Sequence, residues 1–172
     1  MTGSEAGNPP ERSPQEYFRF DTEAVFQATV DRLFQQEGRE LRVFDSSLSV
    51  LKLNSPARIE MLRAFLARAR TQRVYMVVHQ TDHVTRHCPR LMNLLARYNH
   101  AMEIHRTAED IRELQDSFLV LDRHHYVRRP VGRFFRGGAG FNDEADALTM
   151  RARFQEIWNS SYPGVSSTTP GL

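Results

Sequence analysis

The chain has 172 residues, enough for one domain with a single hydrophobic core. Hydrophobic residues make up 40% and charged residues 26%, and no run of about 18 apolar residues is present that would cross a membrane. The net charge of +2 is weak for a dedicated nucleic-acid binder. Cys88 is the only cysteine, which excludes an intrachain disulfide and a cysteine-based zinc cluster. The amino terminus lacks the pattern of a secretion signal, so we expect a cytoplasmic protein, and nothing indicates a cofactor.

The two ends of the chain differ from its middle. Residues 1–17 are rich in Gly, Pro, Ser and Glu without hydrophobic periodicity, and residues 161–172 have a similar composition. Such segments bury too little apolar surface to order themselves, so we predict a disordered lead and a disordered tail. The single domain is expected at residues 18–160.

Within the domain, helical and strand patterns alternate. A first helix is predicted from Asp21 to the glycine at position 38, and Ser55 with Pro56 has the cap-and-proline pattern of a second helix start. The predicted strands are ELRVFD, RVYMVVH, AMEIHRT, SFLVLD and HYVRRP. The other predicted helices are HCPRLMNLLARYNH, AEDIREL and EADALTMRARFQEIWNSS, the last preceded by a glycine-rich loop, GRFFRGGAG. This order predicts an α/β fold with a mainly parallel, mixed sheet and helices on both faces.

The segment QDSFLVLD carries a spaced set of polar residues around a buried strand. Gln115, Ser117 and Asp122 stand at the first, third and last positions of a pattern that resembles HxKxxxxD, the half-site motif of the phospholipase D superfamily. In that family the His is the nucleophile that forms a phosphohistidine, the Lys holds phosphate oxygens and the Asp orients the site. Here the Asp is retained, Gln115 stands for the His and Ser117 for the Lys.

Longer segments extend the resemblance over residues 38–160. The stretches SPARIEMLRAFLARA, VVHQTDHVTRHCPRLMNLL, EIHRTAEDIRELQDSFLVLDR and RARFQEIWNSS are similar to a little-characterised proteobacterial domain. That domain occurs as a separate chain or behind an acetyltransferase domain. The resemblance implies a phospholipase D-like half-fold, and because family sites combine two halves, it also implies a homodimer for any complete site.

The two replacements remove the chemistry of the family reaction. A glutamine amide cannot attack phosphorus and then leave, and a serine cannot supply the positive charge that stabilises the transition state. We therefore predict a non-catalytic module that binds a phosphate-bearing ligand or an acidic partner at the carboxyl ends of the strands, where such sheets place their ligands. The expected ligand-binding residues are Asp45, His79, Gln115, Ser117, Asp122, Arg128, Arg129 and Arg133.

Two other functions stay open at this stage. The first is a divergent phosphodiesterase or phosphotransferase that uses His79, His105 or His124 as its base. The second is a homodimeric assembly or interaction subunit. The expected partners are a phosphorylated small molecule or nucleic acid and a second copy of the chain, with no membrane.

Three smaller patterns have both a functional and a simpler interpretation. His79, His83 and His87 recur every fourth residue, as in helical zinc sites, but the first of them ends a strand and we favour ordinary loop and cap residues. Asp45 and Asp122 would form a paired-carboxylate acid/base site if their strands were adjacent, whereas the simpler interpretation is that an Asp at a strand end caps the next turn. The stretch DRHHYVRRPVGRFFRGG mixes arginine with aromatic residues, which suits phosphates and unstacked bases or a solvated hairpin.

Overall fold

The computed structural model describes residues 13–166, which form one eight-stranded sheet with five α-helices. The strands are β1 (Glu16–Phe20), β2 (Glu40–Asp45), β3 (Arg73–Val78), β4 (Met102–Thr107), β5 (Ser117–Leu121), β6 (His125–Arg129), β7 (Gly137–Phe141) and β8 (Ser161–Pro163). The helices are α1 (Glu23–Phe34), α2 (Pro56–Ala67), α3 (Asp82–His87), α4 (Pro89–Arg97) and α5 (Glu144–Asn159). A 3₁₀ turn at Glu109–Ile111 lies between β4 and β5.

The sheet has the order β1-β7-β6-β5-β2-β3-β4-β8. Strands β2, β3 and β4 are parallel to one another, and every other pairing among residues 13–166 is antiparallel. The parallel strands are linked by helical crossovers, whereas β5, β6 and β7 follow one another through short connections. The predicted mixed α/β sheet is therefore confirmed, with its parallel part confined to the three strands β2 to β4.

Helices cover both faces of the sheet, as predicted. One face packs against α1, α2 and α4 through buried residues that include Phe26, Leu62 and Leu91. The other face packs against α5, whose Ala147 and Phe154 lie with Phe118 in a second buried cluster. Strand residues alternate between these two cores because successive side chains point to opposite faces.

The predicted helix starts are confirmed by their caps. The Thr22 hydroxyl accepts a hydrogen bond from the amide of Val25 at 3.3 Å, and the Ser55 hydroxyl accepts from the amide of Arg58 at 3.3 Å. Pro56 occupies the first turn of α2, where its missing N–H costs nothing. No helix within residues 13–166 combines the length and hydropathy that a membrane crossing would require.

Three strands lie where the sequence predicts none. β1 begins at Glu16 inside the predicted lead, and β8 at 161–163 lies in the predicted tail; residues 1–12 and 167–172 lie outside the described residues. β7, predicted as a glycine-rich loop, is a strand between β1 and β6. Two of these strands have weak local signals, since β8 has only three residues and β7 is mostly glycine. They form because neighbouring strands supply hydrogen-bond partners.

Candidate ligand-binding site

A cavity opens where the carboxyl ends of β2 and β3 meet the amino end of β5. The amide of His79 donates to the carbonyl of Ser46 at 2.9 Å, which ties together the ends of the two parallel strands. We call this opening the strand-end cavity; its volume is about 260 Å³. It is lined by Ser46, His79, Arg112, Leu114, Gln115, Asp116, Ser117, Val131, Gly132 and Arg133.

A buried polar network forms one wall of the cavity and the layer beneath it. The Ser117 hydroxyl donates to Asp45 Oδ1 at 2.6 Å, and Arg129 Nη2 donates to the same oxygen at 3.0 Å. Asp45 Oδ2 accepts from the amides of Ser47 and Leu48 at 3.1 and 2.7 Å. All hydrogen-bonding capacity of the carboxylate is therefore used inside the protein, and Asp45 supports the site without lining it.

Arg129 is the most deeply buried charge in the described chain, with 1% of its surface exposed. Besides Asp45, its guanidinium bonds the carbonyl of Gly132 and the Ser117 hydroxyl, and its carbon Cζ lies 4.5 Å from the centre of the Phe26 ring. Burial lowers the pKa of Arg129, while the neighbouring Asp45 carboxylate raises it. A guanidinium with these partners is a structural cation, so Arg129 is not free to hold a ligand in the cavity.

His79 lines the cavity with an imidazole whose two nitrogens are both engaged. Nε2 lies 2.7 Å from the carbonyl of Leu114, and because a carbonyl only accepts, Nε2 carries the proton. In the neutral ring Nδ1 then accepts from the Thr107 hydroxyl at 2.7 Å. Phe44 packs edge-on against the ring. This imidazole is fixed in orientation and has no free nitrogen for proton transfer.

Two arginines give the cavity its positive charge. Arg133 is exposed at the rim. Arg112 pairs through Nη1 with the exposed Glu109 carboxylate at 3.8 Å, and its Nε is buried without a hydrogen-bond partner among the described residues. Asp116 is the one acidic residue in the lining, and Arg153 neutralises it through two hydrogen bonds of 2.8 and 2.7 Å. Gln115 is exposed and lies in the lining.

Asp122 does not belong to this site, contrary to the prediction. β5 runs antiparallel to β2, so the end of β5 that carries Asp122 meets the beginning of β2 and not its end. Its carboxylate accepts from the amides of Arg39 and Glu40 at 2.8 to 3.1 Å, and its φ of 51° closes the turn. Five residues of strand separate Asp122 from Ser117, roughly 17 Å. Asp45 and Asp122 therefore cannot form the carboxylate pair.

Arg128 and Arg129 do not form one cluster either. They are neighbours on β6, and consecutive strand residues point to opposite faces. Arg129 enters the α1 side beside Phe26, whereas Arg128 lies on the α5 side with Tyr126 and Asp146. The predicted cluster is therefore wrong, because two residues that are adjacent on a strand do not share a face of the sheet.

The remaining histidines are dispersed. His83 and His87 lie on α3, with ring centres 5.8 Å apart, and burial lowers the pKa of His83. His105 stacks on Trp158 and its Nδ1 lies 2.9 Å from the Ser161 hydroxyl. His124 is exposed in the turn between β5 and β6, at the end far from the cavity. No group of three or more metal-ligating side chains within residues 13–166 is placed to hold a metal ion.

The predicted ligand-binding set lacks six residues of the cavity lining: Ser46, Arg112, Leu114, Asp116, Val131 and Gly132. Ser46 directly follows the predicted first strand, so its position at a strand end was a usable signal. Arg112 lies beside the short 3₁₀ turn, and only the path of the β4–β5 connection brings it to the cavity.

Solved structures share this fold. The chain resembles Nuc of Salmonella typhimurium, a phospholipase D family member, with a TM-score of 0.59 and 15% identity over 89% of this chain and 100% of that one. NucT of Helicobacter pylori matches with a TM-score of 0.57 and 10% identity over 88% and 100%. TrmBL2, an archaeal chromatin protein with a novel mode of DNA binding, matches with a TM-score of 0.60 and 11% identity over 94% of this chain and 57% of its own.

These likenesses show that the chain has a phospholipase D-like fold. Residues 22–166 match the family described as "Domain of unknown function (DUF7931)", and the chain belongs to that family. No curated protein matches the sequence.

Proposed function

We propose that this chain is a non-catalytic module of phospholipase D-like fold that binds a phosphate-bearing anion in the strand-end cavity. The observation that carries the proposal is the closed network of Asp45, Ser117 and Arg129. At the motif position for the phosphate-binding Lys, the Ser117 hydroxyl is committed to a buried carboxylate. At the position for the nucleophile, Gln115 offers a neutral amide.

The electrostatics of the cavity favour an anion. Arg112 and Arg133 line it, and the one acidic side chain in the lining is paired with Arg153. A buried guanidinium N–H without an acceptor, as at Arg112 Nε, gains a strong hydrogen bond when an oxyanion enters. At about 260 Å³ the cavity lies near the small end of ligand pockets, so it suits a phosphorylated small molecule or one phosphodiester of a chain.

The divergent phosphodiesterase is less well supported. Its base would need a free imidazole nitrogen at the cavity, and His79 has both nitrogens in hydrogen bonds. His105 and His124 do not line the cavity. A phosphodiester backbone as ligand remains compatible with the fold, since a chromatin protein that binds DNA shares it. The homodimer stays a prediction, which light scattering at several concentrations tests.

The binding test uses phenyl phosphate titrated into the full chain by calorimetry. We expect the double variant Arg112→Gln with Arg133→Gln to weaken binding by about tenfold or more, since each hydrogen bond to a charged group contributes roughly 1.5–3 kcal/mol. Arg70→Gln is the matched control, because Arg70 is exposed and precedes β3 at the opposite end of the sheet. Equal binding by the double variant and the control would refute the site.

The catalytic test uses bis(para-nitrophenyl) phosphate, a chromogenic phosphodiester. We expect no release of nitrophenolate above the uncatalysed rate. Turnover by the unaltered chain that disappears in His79→Ala would overturn the non-catalytic assignment and establish the enzyme in its place.

A further inference from the structure

A second opening lies on the α5 face, on the far side of the sheet from Arg129. It is built on β7, which carries glycines at 137, 138 and 140 and lies between β1 and β6. In the register of these strands, Tyr17 is opposite Gly140, which is opposite Tyr126. Two residues further along β1, Arg19 is opposite Gly138, which is opposite Arg128. Directly opposed residues share a face of the sheet, so a row of tyrosines and a row of arginines flank a floor without side chains.

The glycines create the space between the rows. A Cβ on Gly138 would lie 2.9 Å from the Tyr17 hydroxyl oxygen, and a Cβ on Gly140 would collide with the Tyr126 ring. Both rings therefore lean across β7. Residues 146, 149 and 150 of α5 form the other wall, and the opening, which we call the Tyr–Arg trough, has a volume of about 520 Å³. This lies within the usual range of small-molecule sites.

The trough carries an excess of positive charge. Arg19, Arg128 and Arg136 line it, and none of the three has a carboxylate within 4.0 Å among residues 13–166. Asp146 is the one acidic residue in the lining, and it accepts a hydrogen bond from the Tyr126 hydroxyl at 2.9 Å. The Nε of Arg128 is buried and has no hydrogen-bond partner in the described chain. Such a donor gains a charge-assisted hydrogen bond when an anionic acceptor enters the trough.

The aromatic part of the trough is accessible. Tyr17 is 52% exposed, and the hydroxyl end of its ring lies over Gly138 of the glycine strand. A nucleic-acid base stacks on such a ring whatever its sequence, and arginine forks bind phosphate oxygens in pairs. The two rows lie side by side in the register, which places the stacking ring and the phosphate-binding groups at neighbouring positions.

We propose that the Tyr–Arg trough binds a nucleotide unit, with the base against Tyr17 and the phosphate among Arg19, Arg128 and Arg136. The same chemistry is offered by a free nucleotide and by one unit of a single strand. This site is separate from the strand-end cavity and does not depend on its function, because the two openings share no lining residue.

The test compares four probes by calorimetry on the full chain: adenosine diphosphate, adenosine, inorganic pyrophosphate and a short single-stranded oligodeoxynucleotide. We expect the diphosphate to bind more tightly than adenosine or pyrophosphate alone. Arg128→Gln should weaken the binding of adenosine diphosphate about tenfold or more. Arg19→Gln, at an exposed residue, serves the same purpose if the first variant folds poorly. Tyr17→Ala should weaken the binding of the diphosphate and of adenosine by about fivefold or more, while pyrophosphate binding stays unchanged.

Arg70→Gln is the control, because it makes the same change of charge at an exposed residue that lines neither the trough nor the strand-end cavity. Tighter binding of the oligonucleotide than of the diphosphate, lost equally in Arg128→Gln or Arg19→Gln, assigns the site to a single strand; the reverse order assigns it to a free nucleotide. If neither the diphosphate nor the oligonucleotide binds, the proposal is overturned. Equal affinity in the folded trough variants and the unaltered chain also overturns it, as does an equal loss in Arg70→Gln.

Discussion

Replacing Asp45 by Asn tests whether the network beneath the strand-end cavity has a structural role. The substitution keeps the shape of the side chain but removes the charge that faces Arg129, which is 1% exposed. Removing one partner of a buried ion pair costs about 3–5 kcal/mol, since the other charge stays buried and unpaired. Arg129 would keep its bonds to Ser117 and to the carbonyl of Gly132, so we expect the lower end, about 3 kcal/mol.

This magnitude is large enough to measure directly. For a chain of this length, 1 kcal/mol corresponds to about 2–4 °C in Tm, so Asp45→Asn should lower Tm by about 6–12 °C. The assay is thermal and urea unfolding followed by the fluorescence of Trp158, the only tryptophan, and by circular dichroism. Both probes should give the same transition midpoint if the domain unfolds in one step.

A double-mutant cycle separates the ion pair from the packing around it. Arg129→Met replaces the guanidinium with an apolar chain that can pack on the Phe26 ring, 4.5 Å from the original Cζ. The double variant with Asp45→Asn should be more stable than the sum of the two single losses predicts, by about 0.5–3 kcal/mol. Additive losses, or an Asp45→Asn variant within about 1 kcal/mol of the unaltered chain, would refute the structural role.

The remaining predictions concern pH, the glycine strand and the far end of β5. Burial lowers the pKa of His125, whose Nδ1 accepts from a backbone amide, so only the unfolded chain takes up this proton near its ordinary pKa of about 6.5. The urea concentration at the unfolding midpoint should therefore decrease as the pH is lowered from about 7.5 to about 5.5, and this decrease should be smaller in His125→Gln. Gly140→Ala should destabilise the fold by about 1–3 kcal/mol in urea unfolding, because the new Cβ collides with the Tyr126 ring. Asp122→Ala should cost about 1–3 kcal/mol in the same assay, because two backbone amides lose their acceptor, and phenyl phosphate binding should not change.

Each of these predictions has its own control. Gly138→Ala is the partner of Gly140→Ala and should cost less, because its Cβ meets the far end of the exposed Tyr17 side chain. Asp122→Asn keeps an oxygen acceptor and tolerates the left-handed backbone, so it should be milder than the alanine variant. If the Asp122→Ala chain keeps its stability but no longer binds phenyl phosphate, Asp122 belongs to the binding site after all. A pH dependence identical in His125→Gln would show that the proton is taken up elsewhere.

Much of the fold follows from local sequence patterns. Thr22 and Ser55 begin helices because their hydroxyls cap the first amides, and the apolar runs ending at Asp45 and Val78 form buried strands. These signals depend on neighbours within a few residues, so a single sequence contains them. The strands β1, β7 and β8 could not be predicted in this way, since their hydrogen-bond partners lie far along the chain.

The candidate site likewise has features that the sequence shows and features that depend on pairing between distant segments. That positions 115 and 117 carry a glutamine and a serine, and not a histidine and a lysine, is a statement about residue types, and it was readable from the sequence. The antiparallel pairing of β5 with β2 was not, and it moves Asp122 to the opposite end of the sheet. Strand alternation likewise sends Arg128 and Arg129 to different faces.

The sequence by itself therefore determined which chemical groups this protein possesses and where most helices and strands begin. Only the tertiary structure decided which groups meet, because strand direction and register are set by contacts between distant segments. It buried Arg129 against Asp45, set Arg112 and Arg133 around one cavity, and placed Arg128 in the Tyr–Arg trough on the other face.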